Sequence, residues 1–232
     1  MSKLTKFYGS EWHMLRMLGR HRRWFTDQVE ASTGLTGITW QDFDFTEGVA
    51  KNHGDAEIKG MNFLPAGHPV RAQWNSWWPQ TGNVHNWDAV GECRAKHATE
   101  YLLVEAKGNI GELRQSTGAK SSSEGGGLEL IEKRLLETQM AMGLTEPKVW
   151  TTPHYQYANR LALLQFLQQH GVSARLVFIY FTGDTNPRAD CPTTTEAWNE
   201  ALKAMKIKLG LSGKSALEQR IHEVFLPVAG SP

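Results

Sequence analysis

The chain has 232 residues, of which 40% are hydrophobic and 21% charged, a composition that excludes a wholly disordered protein. A formal net charge of +1 gives no long-range attraction to a polyanion, so a nucleic-acid partner would have to be held by local groups. Two cysteines exclude a disulfide framework, and no run approaches the roughly 20 apolar residues of a membrane span. The N-terminus MSKLTKFYGSEW also lacks the apolar core of a signal peptide. We therefore expect a cytoplasmic protein without a membrane partner, either alone or as a homo-oligomer.

The first half of the sequence predicts one helix and a hairpin. Apolar residues recur at helical spacing over residues 10–29, with Ser10 as a suitable N-cap. Glycine and proline punctuate residues 34–83, which predicts one or two strands within long ordered loops. Two strand-like runs then follow, at about 85–92 and 100–107, and their short connection predicts an antiparallel hairpin.

The second half predicts helices around a buried strand. Helical periodicity covers residues 128–143, 154–171 and 194–211. Residues 173–184 are almost continuously apolar, as in a strand covered on both faces, and residues 222–230 fit an edge strand. The element order predicts an α/β fold, a mixed β-sheet flanked by α-helices, in a single domain over residues 1–232.

The end of the second hairpin strand carries an acid and a base. Strand alternation places Glu105 and Lys107 on one face, and an isolated acid, Asp88, lies on the preceding strand. Two neighbouring carboxylates repel each other unless a cation lies between them, and Mg²⁺ prefers such oxygen ligands. A protonated lysine does not ligate a metal, but it orients water and stabilises the negative charge of a phosphate. The bland alternative is that an acid-x-lysine strand is a solvated face.

This pattern, an aspartate followed by a strand ending in LLVEAK, resembles the PD-(D/E)XK nuclease superfamily, also called restriction-endonuclease-like. The resemblance implies that Asp88 and Glu105, with the main-chain carbonyl of Ala106, bind Mg²⁺, for which Mn²⁺ can substitute. It implies that Lys107 completes the catalytic set by assisting the attacking water, and that Glu11 of the first helix is a further metal ligand. The implied fold is the restriction-endonuclease-like mixed sheet. The implied activity is hydrolysis of phosphodiester bonds in nucleic acid, with DNA as the expected partner.

Other residues carry weaker hypotheses. Gln156 and Arg160 lie on one face of the helix after the hairpin, and the resemblance implies substrate-side contacts for them. Three tryptophans, at positions 74, 77 and 78, either stack on bases or fill a core. No histidine or cysteine pattern of a zinc site is present in the sequence.

Three functions stay open at this point. The chain is either an active metal-dependent nuclease or a catalytically inactive nuclease-fold module for binding or assembly. A metal-dependent enzyme acting on a phosphoester other than nucleic acid is a weaker third hypothesis.

Overall fold

The computed structural model describes residues 7–41, 58–80, 85–95 and 98–228. Its strands are β1 (Thr39–Gln41), β2 (Ile58–Lys59), β3 (Asn86–Trp87), β4 (Ala89–Ala95), β5 (Ala98–Lys107), β6 (Ala174–Thr182) and β7 (Ile221–Pro227). Its α-helices are α1 (Ser10–Gly19), α2 (Arg22–Thr33), α3 (Pro69–Trp77), α4 (Leu128–Ala141), α5 (Tyr155–Gln169) and α6 (Thr195–Leu209). None of these helices combines the length and the apolar character needed to cross a membrane.

Five strands form one mixed sheet in the order β1-β4-β5-β6-β7. The strands β1, β4 and β5 pair antiparallel, whereas β5, β6 and β7 pair parallel. Parallel neighbours need a crossover, which α4 and α5 provide between β5 and β6, and α6 provides between β6 and β7. The predicted α/β fold, hairpin, buried strand and edge strand are therefore confirmed.

Each face of the sheet is covered by helices. On one face, α1 and α2 pack on an apolar layer that includes Leu102, Val104 and Ala106 of β5. On the other face, α3 to α6 cover a larger layer that includes Leu103 of the same strand and Phe178 of β6. Alternate residues of β5 therefore lie in different layers, as the sequence predicts.

Two elements differ from prediction. The helix expected over residues 10–29 is two helices, because α1 ends at Gly19, a residue with low helix propensity, and Arg22 Nε then binds the Leu18 carbonyl oxygen at 2.7 Å. Within residues 34–83 the described part holds the unpredicted helix α3. Its N-terminus is set by Pro69 and by the His68 ring, which accepts a hydrogen bond from Val70 N.

Candidate active site

The acid and the base of β5 are buried. Lys107 and Tyr180 are paired positions on the neighbouring strands β5 and β6, and Glu105 and Lys107 project towards the layer under α4 to α6. Only 4% of Glu105 and 8% of Lys107 is exposed. This burial contradicts the alternative that Glu105 and Lys107 lie on a solvated strand face. Ionised side chains at this depth need partners.

Glu105 has four hydrogen-bond donors around its carboxylate. Lys107 Nζ lies 2.5 Å and Gln156 Nε2 lies 2.8 Å from Oε1. Arg160 donates to Oε2 through Nε at 2.9 Å and through Nη2 at 2.7 Å. A carboxylate offers about four lone-pair positions, so the described contacts saturate Glu105.

The charges around Glu105 keep it ionised. Burial by itself raises the pKa of Glu105, but the nearby charges and hydrogen bonds of Lys107 and Arg160 outweigh it and hold that pKa below its ordinary value. Both cations donate hydrogen bonds to the Glu105 carboxylate, so a divalent cation would reach the carboxylate oxygens only by displacing one of these donors.

Arg160 is the most constrained member of the group. Its Nη2 also donates to the Asn86 carbonyl oxygen at 2.7 Å, and its guanidinium lies 4.6 Å from the centre of the Trp87 ring. Only 4% of Arg160 is exposed. Arg160 and Gln156 face the carboxylate of Glu105 and fix its orientation, and the substrate-side contacts expected of them stay a prediction.

Asp88 lies where the chain bends between β3 and β4. Its backbone N–H donates to the Val104 carbonyl oxygen at 3.1 Å, and its Oδ2 accepts from Ala106 N at 2.7 Å. In a strand, the N–H and C=O of one residue point to the same side. The Ala106 carbonyl oxygen therefore lies on the Asp88 side of β5, beyond the point where β4 stops pairing. The Asp88 carboxylate and the Ala106 carbonyl oxygen, two of the predicted metal ligands, therefore lie on the same side of β5.

Glu11 lies in the first turn of α1, close to the end of β5. A side chain added at Gly108 would place its Cβ 3.1 Å from Ser10 N, so this turn packs directly against the residue that follows Lys107. Within the described residues, no group of three or more histidine, cysteine or acidic side chains is arranged to hold a metal ion. Glu11 therefore does not complete a three-acid cluster with Asp88 and Glu105, and its role as a metal ligand stays a prediction.

The turn after Lys107 is organised by two reciprocal contacts of Asn109 and Glu112 with the backbone. Asn109 Oδ1 accepts from Glu112 N at 3.2 Å, while Glu112 Oε2 accepts from Gly108 N at 2.9 Å. The sequence carries a local signal for this turn, because Asn109 is followed three residues later by Glu112. This turn brings Glu112 to the rim of the site.

A second buried polar pair was also missed. Asp184, two residues after β6, accepts from Gly9 N at 2.9 Å, and its Oδ1 lies 3.2 Å from His13 Nε2. A carboxylate at the start of a helix is favoured by the helix dipole, so Asp184 anchors α1 to the end of the sheet. Burial lowers the pKa of His13, although Asp184 opposes that shift. No local sequence pattern relates these residues, which lie far apart in the chain.

The tryptophan cluster belongs to the core. Trp74 and Trp78 are 1% and 4% exposed and pack on each other with parallel rings 5.7 Å apart. Trp77 is half-buried beneath the Arg134 guanidinium, 5.0 Å from its ring centre. Stacking of Trp74 and Trp78 on bases is contradicted by this burial.

A small cavity adjoins the Glu105 and Lys107 side chains. The volume open to the centre of a water molecule is about 10 Å³, which is room for about one water. The lining residues include both members of that pair and, from the aromatic side, Tyr157 and Tyr180. A nucleotide does not fit this space.

Comparison with protein-family models, with curated proteins and with solved structures gives no match to this chain.

Proposed function

We propose that the chain is a Mg²⁺-dependent hydrolase of phosphodiester bonds in nucleic acid, with DNA as its substrate. The observation that carries the proposal is the buried contact between Glu105 and Lys107 on an inner strand, beside an edge occupied by Asp88. Burying these ionised groups is unfavourable for stability unless they are well paired. Their position at the end of β5, next to a bend in the chain, favours a functional reason for their presence.

The donor set is chemically suited to Mg²⁺. Asp88 and Glu105 supply carboxylate oxygens and Ala106 supplies a carbonyl oxygen, the hard ligands that this ion prefers. Asp88 and the Ala106 carbonyl already face the same edge of β5. When bound, Mg²⁺ would supply an activated water and neutralise charge on the phosphate.

Three side chains would then orient the metal ligand and the reacting groups. Arg160 and Gln156 hold the Glu105 carboxylate in one orientation, through the contacts to both of its oxygens. Lys107, once released from Glu105, holds its proton and donates to the water or to a phosphate oxygen. The absence of bulk water around Glu105 strengthens each of these electrostatic interactions.

Cleavage assays on single-stranded and double-stranded DNA and RNA, with Mg²⁺, Mn²⁺ or a chelator, test this proposal. Wild-type protein should cleave DNA only with a divalent ion, and Glu105→Gln and Lys107→Met should abolish cleavage. Glu100→Gln is the matched control, because Glu100 is a buried acid of the same strand, paired with Arg175 at 2.9 Å and with Arg220 at 3.1 Å. That variant should retain cleavage. Wild-type protein that cleaves no substrate with either ion would reject the proposal.

A second candidate function is a catalytically inactive module that binds or assembles. The saturation of Glu105 by four donors favours this function, because the carboxylate is stable without a metal. Calorimetry separates the two. Measurable affinity of the wild type for Mg²⁺ or Mn²⁺ supports the hydrolase, whereas retained DNA or protein binding without any affinity for these ions supports the inactive module.

A further inference from the structure

A divalent cation can reach the Glu105 carboxylate only if one of its four donors leaves. Arg160 is held by further contacts to Asn86 and to the Trp87 ring. Gln156 is neutral and is carried by the rigid helix α5. Lys107 Nζ makes a single hydrogen bond among the described residues, to Glu105, and its stem is flexible. Lys107 is therefore the donor that moves.

A displaced Lys107 needs an acceptor inside the protein, because the side chain is buried. Tyr180 lies opposite Lys107 on the neighbouring strand β6, and both side chains line the same cavity. The Tyr180 hydroxyl is buried and has no hydrogen-bond partner among the described residues. Native proteins rarely leave such a group without a partner, so it calls for an explanation.

The size of the cavity fits an ammonium group. Its volume of about 10 Å³ accommodates one water-sized group, and an ammonium head is of similar size. Tyr157, Phe178 and Met205 also line the cavity, and Glu112 lies at its rim. Tyr180 is the lining residue that pairs with Lys107 across β5 and β6, and its buried hydroxyl has no hydrogen-bond partner among the described residues.

We propose that Tyr180 is a positioning residue for Lys107: its hydroxyl oxygen accepts a hydrogen bond from Nζ when a divalent cation takes the place of Nζ at Glu105. This inference rests on the proposed function, since it requires the cation. The proposed hydrogen bond gives the Tyr180 hydroxyl a partner when the cation is bound.

Calorimetric titration of the intact protein with Mn²⁺ tests the proposal without any measurement of cleavage. Tyr180→Phe should weaken Mn²⁺ binding about tenfold, the effect of losing one hydrogen bond to a charged group. Tyr101→Phe is the matched control, because Tyr101 is a tyrosine of β5 on the same face but near the opposite end of the strand from Lys107. Its Mn²⁺ affinity should equal that of the wild type.

A double-mutant cycle identifies Lys107 as the partner. Lys107→Met removes the competing cation and should tighten Mn²⁺ binding, and Tyr180→Phe should have no further effect in that background. Equal weakening by Tyr180→Phe with and without Lys107 would overturn the inference and leave the proposed function intact. A wild type that does not bind Mn²⁺ would overturn both.

Thermal unfolding without metal provides the folding check. Because the Tyr180 hydroxyl has no hydrogen-bond partner among the described residues, Tyr180→Phe should leave the Tm measured without metal unchanged or raise it. A Tm several degrees lower would show that the Tyr180 hydroxyl already makes a hydrogen bond without the cation. That result would contradict its proposed role as an acceptor for Lys107 only when the cation is bound.

Discussion

Replacing Arg160 tests directly whether the Glu105 carboxylate depends on the buried cations around it. Arg160→Met keeps the bulk of the side chain but removes both hydrogen bonds to Glu105 Oε2 and the one to the Asn86 carbonyl oxygen. Breaking a buried ion pair destabilises a protein by about 3–5 kcal/mol. Lys107 still neutralises Glu105 in this variant, so we expect the lower end, about 3 kcal/mol. For a chain of this size that corresponds to a fall in Tm of about 6–12 °C.

The matched control is Arg134→Met. Arg134 also lies over a tryptophan ring, donates to the Trp77 carbonyl oxygen at 3.0 Å and pairs with Glu137 at 2.7 Å. The Glu137 side chain is 43% exposed, however, so water and salt screen the pair. We expect the free energy of unfolding to change by about 1 kcal/mol or less.

Urea unfolding followed by tryptophan fluorescence measures both variants against the wild type. An Arg160→Met variant that is destabilised no more than Arg134→Met would refute the account of Glu105 as a carboxylate that depends on buried cations. Equal slopes of the unfolding free energy against urea would show that the folded and unfolded states remain comparable.

The remaining predictions concern pH and packing. Burial, and then the charge of Arg160, lowers the pKa of His85 from 6.5 to about 3, so the unfolded chain binds this proton at a higher pH than the folded chain does. The stability associated with His85 is therefore complete above pH 6.5 and falls as the pH drops towards 3, by about 2 kcal/mol at pH 5. His85→Phe should reduce the loss of unfolding free energy between pH 7 and pH 5 by that amount, and an unchanged loss would show that His85 is not the responsible group. Gly108→Ala would place Cβ 2.9 Å from Asp184 Oδ2 and should destabilise the protein by about 1–3 kcal/mol, whereas Gly118→Ala, which meets nothing within 4 Å, should be neutral in the same urea assay. Equal effects of the two glycine variants would mean that α1 is not packed against the end of β5.

The sequence predicted the fold well where the period of the apolar residues was unambiguous. Strand β6 is almost wholly apolar, and it lies inside the sheet between β5 and β7. The helix α5 begins and ends within two residues of the predicted range 154–171. Helix α3 was missed because it lies in a segment rich in glycine and proline, where local signals favour loops.

The candidate site was predicted only in part, for a physical reason. The alternation of β5 placed Glu105 beside Lys107 because both lie on one strand. The depth of the pair depends on α5, whose Arg160 is separated from Glu105 by 55 positions in the chain. Such a contact leaves no local pattern in one sequence. The same holds for Tyr180, which reaches the site only because β6 pairs with β5 in parallel.

A crystal structure of the wild-type protein soaked in Mn²⁺, with anomalous scattering recorded, shows directly whether a divalent ion binds at this side of β5. We expect one anomalous peak in contact with Asp88, Glu105 and the Ala106 carbonyl oxygen, with Lys107 Nζ moved away from Glu105. A map with no peak there and with Lys107 still bound to Glu105 would contradict the proposed metal site.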